Sequence, residues 1–415
     1  MARRKVIVLG AGAAGLMAAG QAAKAGAGAL ILEKMDRPGI KLSITGKGRC
    51  NLTNTAPFHE FLKHFGKGAR FLRPSLSKFG PNDLRDFFQS LGVPTVVERG
   101  GRVFPESNLA SDVVEALVSW VQDCGVSIKT KCRVKNLLIE GDGICGVRDA
   151  DGGEYRADCV ILAMGGASYP GTGSSGDGFR LAKEAGHPMI EMRPALVPLV
   201  AKGKIPASLQ GLSLKNVSVK ILVEGKKKAG AFGELLFTHF GLSGPTILTL
   251  SLVAVDALRE GKRVAASIDL KPALSHPRLD ARLLRDLDAH GKRKFQTMLQ
   301  GLLPRKLIPV CMDLTGIPPE KIVSQIDSSE RKRLRTWLKD FRLEITGHRG
   351  FREAVITAGG VDTRKLDPKT MSSRLMKGLF FAGEVLDLQG DTGGYNLQAA
   401  FTTGLAAGLS AVKGN

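Results

Sequence analysis

Cysteine is scarce and badly placed for chemistry in this 415-residue chain: six residues, Cys50, Cys124, Cys132, Cys145, Cys159 and Cys311, with no C-x-x-C pair among them. That spacing argues against both a zinc site and a dithiol redox centre, and fits reduced thiols in a cytoplasmic protein. Seven histidines offer no H-E-x-x-H or similar ligand set, so no metal is expected. No repeat of 20–50 residues is visible. The 51 glycines follow no collagen-like period, which leaves tight turns and close backbone approaches as their use. One apolar stretch could be mistaken for a membrane anchor, Val6 to Ala23 behind Arg3-Arg4-Lys5. It is built of Ala and Gly rather than Leu and Phe, so a buried strand and helix explain it better.

What is abundant is positive charge. Lys and Arg number 60 against 39 Asp and Glu, a net charge of +21 that creates an attractive field for nucleotides, anionic substrates or nucleic acid. Runs such as Lys292-Arg293-Lys294 and Arg331-Lys332-Arg333 lie among acids and read as solvated helix faces.

The chemistry is legible first at the N-terminus. Lys5 to Leu9 reads as a strand buried on both faces, and Ala13 to Ala25 as a helix. Between them Gly10-Ala11-Gly12-Ala13-Ala14-Gly15 spells G-x-G-x-x-G. Gly10 permits the sharp turn, Gly12 lets a pyrophosphate approach the backbone, and Gly15 lets the helix close on the sheet. Phosphates then sit on the helix N-terminus, where free N–H groups and the dipole favour negative charge. Ala29 to Leu32 is a second strand ending at Glu33, an acceptor for a ribose hydroxyl. These residues alone do not separate FAD from NAD. A second G-x-G-x-x-G, Gly171 to Gly176, is read as coincidental, because it does not open a helix directly from a strand.

The rest of the chain makes the distinction. Lys41 to Asn54 (KLSITGKGRCNLTN) is a long polar loop; Met164 to Pro170 is MGGASYP; Gly233 to Pro245 is GELLFTHFGLSGP. Near the end stand Phe381-Ala382-Gly383-Glu384-Val385-Leu386-Asp387 and Asp391-Thr392-Gly393-Gly394-Tyr395-Asn396-Leu397-Gln398-Ala399-Ala400. Together, over nearly the whole length, they resemble the bacterial flavoprotein family that includes aminoacetone-oxidase-like and BaiN/YhiN-type proteins, akin to glutathione-reductase-type FAD folds. The resemblance implies FAD, with its adenine end on Gly10, Gly12, Gly15 and Glu33, and with Ala13, Ala14 and Lys34 also binding the cofactor. It implies that the Gly46 to Asn51 loop wraps the flavin, with further cofactor contacts from Lys41, Gly48, Arg49, Cys50, Asn51, Val134, Gly165, Gly166, Gly383, Glu384, Gly394, Tyr395, Asn396 and Leu397. Near the ring, Cys50, His239 and Tyr395 are the candidate catalytic side chains, each with a plain structural alternative, and Tyr169 is a further neighbour.

The C-terminal physics agrees independently. Gly378 to Ala382 reads as a short buried strand and Asn396 to Leu409 as an Ala-rich helix, so a second helix start follows a second glycine turn and can stabilise a reduced, anionic flavin. The fold expected is α/β: a Rossmann-like, two-dinucleotide-type FAD domain, discontinuous over 1–192 and 348–415. An inserted small antiparallel β domain occupies 193–275 and 339–347, and a helical subdomain 276–338, with Leu279, Leu283, Leu284 and Leu287 on one helix face. Such an insertion shapes a substrate pocket at the domain junction. The function expected is a flavin-dependent oxidoreductase acting on a small organic substrate, with NADH or NADPH as possible donor, no membrane partner, and nucleic acid not expected as a partner. The alternative is an FAD-dependent RNA-modifying or RNA-binding flavoprotein, favoured by charge but lacking any evident RNA motif or aromatic–basic platform.

Overall fold

The computed structural model describes residues 3–413. It separates into two compact units, one running up to Pro194 and resuming at Ala354, the other Ala195–Glu353.

The first unit is organised by a five-stranded parallel sheet. Strand β1 (Lys5–Leu9) lies between β2 (Gly28–Leu32) and the Cys159–Leu162 strand; Leu379–Phe381 and Ser127–Lys129 complete the two edges. Val6 to Leu9, Cys159 to Leu162 and Leu379 to Phe381 are buried throughout, as a sheet covered on both faces demands. Helix α1 (Ala13–Lys24) crosses from β1 to β2, and the Tyr395–Lys413 helix packs against it with very small residues at the contact. A Cβ on Gly404 would stand 2.4 Å from the carbonyl oxygen of Ala14, and one on Gly408 2.2 Å from that of Ala18. The two helices therefore touch backbone to backbone, which ties α1 to the Tyr395–Lys413 helix. Buried Gln398 and Thr402 donate hydrogen bonds to Phe79 O, and Thr403 accepts one from Gly383 N, which anchor the terminal helix further.

Several elements differ from the sequence expectation. The stretch from Lys41 begins as helix α2 (Ile40–Gly48) rather than as loop. Gly39, at φ +70°, turns the chain into it, and the left-handed Gly46 and Lys47 break it open before Cys50. After the second glycine motif a helix does start, Asp177–Glu184, yet the following strand Met189–Ala195 pairs with Ile356–Val361 in a separate sheet. The second glycine motif therefore opens no βαβ unit of the parallel sheet.

In the second unit six antiparallel strands close a barrel in the order Leu199–Ala201, Gly241–Ser243, Lys226–Thr238, Ser213–Val223, Val264–Asp269 and Phe341–His348. Val217, Val219, Ile221 and Val223 fill its interior while Ser218 and Lys220 turn outward, the period of two expected of such strands. The His276–Ala289 and Ser328–Lys339 helices share a buried core with it. Leu279, Leu283 and Leu287 face that core, but Leu284, expected on the same face, is 39% exposed. Four-residue spacing keeps the other three on one stripe, and Leu284 falls a hundred degrees round the helix.

Candidate functional site

The glycine turn after β1 has the geometry of a phosphate cradle. Gly10 takes φ +98°, and a Cβ there would meet Ala163 O at 2.7 Å. A Cβ on Gly15 would lie 1.9 Å from Gly10 O, so helix and turn are in backbone contact. At Gly12 the situation is opposite: a Cβ would meet nothing within 4 Å, leaving open space over the turn. Gly12 is also the N-cap of α1 and provides no side-chain cap. The first-turn N–H groups of α1 thus lack a capping acceptor, and a diphosphate supplies one. Beside the turn, Glu33 is held by two backbone amides, Oε2 accepting from Ala11 N at 2.7 Å and Oε1 from Met35 N at 2.8 Å. A carboxylate oxygen so fixed keeps a lone pair for a hydroxyl. These features fit a dinucleotide with a free ribose hydroxyl.

Lys34 pairs with Asp177 at 2.8 Å, and Arg133 reaches the same carboxylate at 3.0 Å. Burial pushes the Asp177 carboxyl up, but hydrogen bonds from Lys34, Arg133 and Ser175 outweigh it and hold the pKa down at about 2. Val134 is the first residue of a strand in a separate three-stranded sheet, next to Arg133.

A second cluster joins three distant chain segments. Lys41 Nζ bonds Glu384 Oε2 and Ser168 Oγ, each at 2.6 Å, and Ser168 donates to Glu384 Oε1 at 2.9 Å. Thr357 N donates to the same carboxylate at 2.7 Å, while its hydroxyl accepts from Ala167 N at 2.8 Å. Gly166 is needed here, since a Cβ would strike Thr357 Oγ1 at 2.4 Å and Glu384 Oε1 at 2.8 Å. Gly165, at φ +72°, and Gly383, at φ +76°, make the neighbouring turns. Nothing local in the sequence marks Ser168, whose partners Lys41 and Glu384 lie 127 and 216 positions away, or Thr357, whose hydroxyl meets Ala167 at a separation of 190.

The third cluster lies at the start of the terminal helix. Gly394 presses on the Thr53 backbone, where a Cβ would stand 2.2 Å from Thr53 O. With its side-chain amide turned so that the oxygen faces Gly394 N, Asn51 bridges the same junction: its nitrogen donates to Thr53 O and Val103 O, at 3.1 and 3.2 Å, and its oxygen accepts from Gly394 N at 3.1 Å. Asn54 Nδ2 donates to Gly393 O at 3.1 Å. Asn396 is occupied in its own turn, accepting from Gly390 N and donating to Gly390 O and Asp391 O. Leu397 packs half-buried against the core. Tyr395 is buried, stacked on His64 with ring centroids 4.0 Å apart, and burial pushes its phenol up to about 12. His64 Nδ1 in turn lies 2.7 Å from Asp391 Oδ2, a pair the sequence reading did not identify.

Of the remaining candidates, Cys50 is fully buried at φ +58° and its thiol is pushed up to about 12 by that burial, so it stays protonated near neutral pH. Arg49 is engaged with Glu98, with Asn108 at 2.8 Å, and with the face of Phe104 at 4.1 Å. Gly48, at φ +83°, closes the broken helix beside it. Tyr169 caps a short 3-10 turn in a left-handed conformation. His239 belongs to the second unit, exposed between two barrel strands and edge-on to Phe240.

Residues 4–410 match the family described as HI0933-like protein Rossmann domain. The chain belongs to that family. HI0933-like proteins are FAD-binding, and this member is a flavin-dependent oxidoreductase. It is 35% identical over 411 residues to a 3-dehydro-bile acid delta(4,6)-reductase of Clostridium scindens, with 99% of each chain covered. It is 30% identical over 406 residues to a ribosomal RNA dihydrouridine synthase of Escherichia coli, covering 98% of this chain and 97% of that one. Haemophilus influenzae has a similar relative of the same name, 30% identical over 410 residues, with 97% of each covered. Among solved structures the fold is similar to 3-ketosteroid delta1-dehydrogenase from Sterolibacterium denitrificans, with TM-score 0.56, 13% identity and full coverage of both chains. It is also similar to a flavocytochrome c3 fumarate reductase, with TM-score 0.53 and 18% identity, over 99% of this chain and 78% of that one. No helix among the described residues is long and apolar enough to cross a membrane.

Proposed function

We propose that this HI0933-like protein is a reductase of a ring carbon–carbon double bond, and that its substrate is a uracil ring carried by RNA. The reaction class is supported by the names of the relatives that match end to end. One reduces a bile acid at unsaturated positions; the others add two hydrogens to uridine. When bound, FAD would supply the hydride for one carbon of such a bond, with a proton reaching the other and NADH or NADPH restoring the two electrons.

This chain's own residues have definable parts. Gly10, Gly12 and the first turn of α1 (Ala13, Ala14, Gly15) take the diphosphate, and Glu33 the adenosine ribose. The Lys41–Ser168–Glu384 cluster fixes the Gly165–Gly166 and Gly383 turns beside the cofactor, while Asn51 and Gly394 lock the Cys50 turn to the start of the terminal helix. That helix start offers N–H groups to the pyrimidine edge of the flavin. His64, oriented by Asp391, is the side chain we assign as proton carrier in this region, since Cys50 and Tyr395 both hold their protons too tightly.

The observation that carries the choice of RNA is where the charge resides. Ala195–Glu353 holds 28 Lys and Arg against 15 Asp and Glu, a stronger bias than in the longer remainder of the chain. A small substrate with a single carboxylate needs little of that field, whereas a polyanion engages it along its length. The test is incubation of FAD-loaded protein and NADPH with ribosomal RNA transcribed without modifications, followed by nucleoside mass spectrometry. Dihydrouridine at a defined position supports the reading, and its absence while a steroidal enone is reduced refutes it. That second reading, a small organic enone as substrate, is favoured by the 35% identity to the bile acid reductase.

A further inference from the structure

We infer that the outer face of the Ser213–Val223 and Lys226–Thr238 barrel strands docks an unpaired RNA strand, with Phe232 as the platform for a base and the adjacent lysines as phosphate contacts. The inference rests on the RNA reading above and adds to it the surface that holds the substrate, on strands that carry none of the residues assigned to the cofactor.

Phe232 is 65% exposed, more than any other large apolar side chain among the described residues. Its position is not an accident of register. The strand alternates normally, with Leu235 and Phe237 filling the barrel at 0% and 1% exposure, so the residue two before Glu234 must point outward. The neighbours leave its ring uncovered: Ser218 is its cross-strand partner, Gly233 follows it, and Gly230 lies two residues before, opposite Lys220. Phe232 makes no ring contact among the described residues.

The charges around it are unequally matched. On this face and its margins the acids have partners: Glu234 accepts from Ser213 at 2.6 Å, Glu224 pairs with Arg263 at 3.1 Å, Asp340 with Arg342 at 2.5 Å and Asp269 with Lys339 at 2.6 Å. Lys215, Lys226, Lys227 and Lys228 are exposed and form no ion pair among the described residues. Lys220, one diagonal step from Phe232, has near it Asp340, which is already paired with Arg342. Lys228 stands four residues from Phe232, about 13 Å along the strand. An aromatic face flanked by uncompensated cations is the arrangement by which proteins hold unpaired nucleic acid, the ring stacking on a base of any identity and the lysines following the backbone. An acidic peptide would use the lysines and leave the phenyl ring idle.

The test is fluorescence anisotropy of a labelled single-stranded RNA against FAD-loaded, full-length protein over a salt series. Phe232→Ala is expected to weaken binding about 10-fold, with Phe232→Tyr close to wild type, because stacking needs a ring and not a phenylalanine. Replacing Lys226, Lys227 and Lys228 together by Gln is expected to lower the slope of log affinity against log salt by about 2. Flavin absorbance, and the rate at which NADPH bleaches the flavin in the absence of RNA, should not change in these variants. Undiminished RNA binding by both variants overturns the surface while leaving the RNA reading intact. A wild-type protein that binds no RNA overturns the reading and the surface together. If Phe232→Ala converts a dimer to a monomer with RNA binding unaltered, the face belongs to a second copy of this chain and the inference is wrong.

Discussion

Two glycines three residues apart should answer the same substitution in opposite ways. Gly12 has φ −86° and ψ −172°, a conformation any residue adopts, and a Cβ there meets nothing within 4 Å. Gly12→Ala gains about 0.4–1 kcal/mol from the stiffer unfolded chain and loses a similar amount as a poorer N-cap, so apoprotein stability should move by less than about 0.5 kcal/mol. Yet the methyl group fills the space through which a diphosphate reaches the turn. An overpacking cost of about 1–3 kcal/mol, present only in the complex, weakens FAD binding about 5- to 150-fold. At Gly15 the added Cβ sits 1.9 Å from Gly10 O, where ordinary contact begins at 3.4 Å, so backbone must yield by about 1.5 Å. Gly15→Ala should cost about 3 kcal/mol with or without flavin, a fall in Tm of about 5–10 °C. Thermal unfolding of the apoproteins by circular dichroism, with FAD titration by flavin fluorescence, measures both quantities. Equal loss of apoprotein stability at the two positions, or full FAD affinity in Gly12→Ala, would refute the reasoning.

Lys41→Met strips the cation from a Glu384 carboxylate that is mostly buried, and should destabilise the protein by about 2–3 kcal/mol; adding Glu384→Gln should recover about 1–2 kcal/mol of it, a coupling that urea denaturation of the four-member cycle measures. His187 is buried against Phe381 with Nε2 2.8 Å from Ser373 Oγ, and desolvation lowers its pKa from 6.5 to about 4. The unfolded chain therefore takes up this proton first as the pH falls, so stability is full above pH 6.5 and is lost progressively down to about pH 4, by on the order of 3 kcal/mol; His187→Gln should flatten denaturation midpoints over that window. Titration of the native protein with an aromatic disulfide reagent should modify only the half-buried Cys124 and Cys145, with Cys50 and Cys311 silent behind burial that pushes both thiols up to about 12.

The nucleotide turn was legible in the sequence because each of its residues acts locally: Gly10 turns, Gly15 touches, Glu33 ends a strand. The same holds for the Leu379–Phe381 strand and the terminal helix, whose apolar runs and glycine turn lie within about twenty residues of one another. Sequence alone was silent where the partner is remote. The Pro245–Arg259 helix packs on the barrel and was not anticipated, and the closure of six strands depends on Phe341–His348 meeting strands about 75 and 140 residues earlier. Arg49 reads naturally as a cofactor ligand until Glu98, Asn108 and Phe104 are seen around its guanidinium, and none of those three carries a recognisable motif. Phe232 and its lysines were hidden for a related reason: only the register of a barrel strand reveals which side of the sheet a residue faces.

The most direct test of the account is anaerobic. Protein reduced with one equivalent of NADPH is mixed in a stopped-flow spectrophotometer with unmodified ribosomal RNA, and the oxidised flavin bands are followed. The account predicts that RNA restores them, in stoichiometry with dihydrouridine formed and faster than any steroidal enone. A flavin that stays bleached in the presence of RNA, or a protein that retains no flavin, would contradict it.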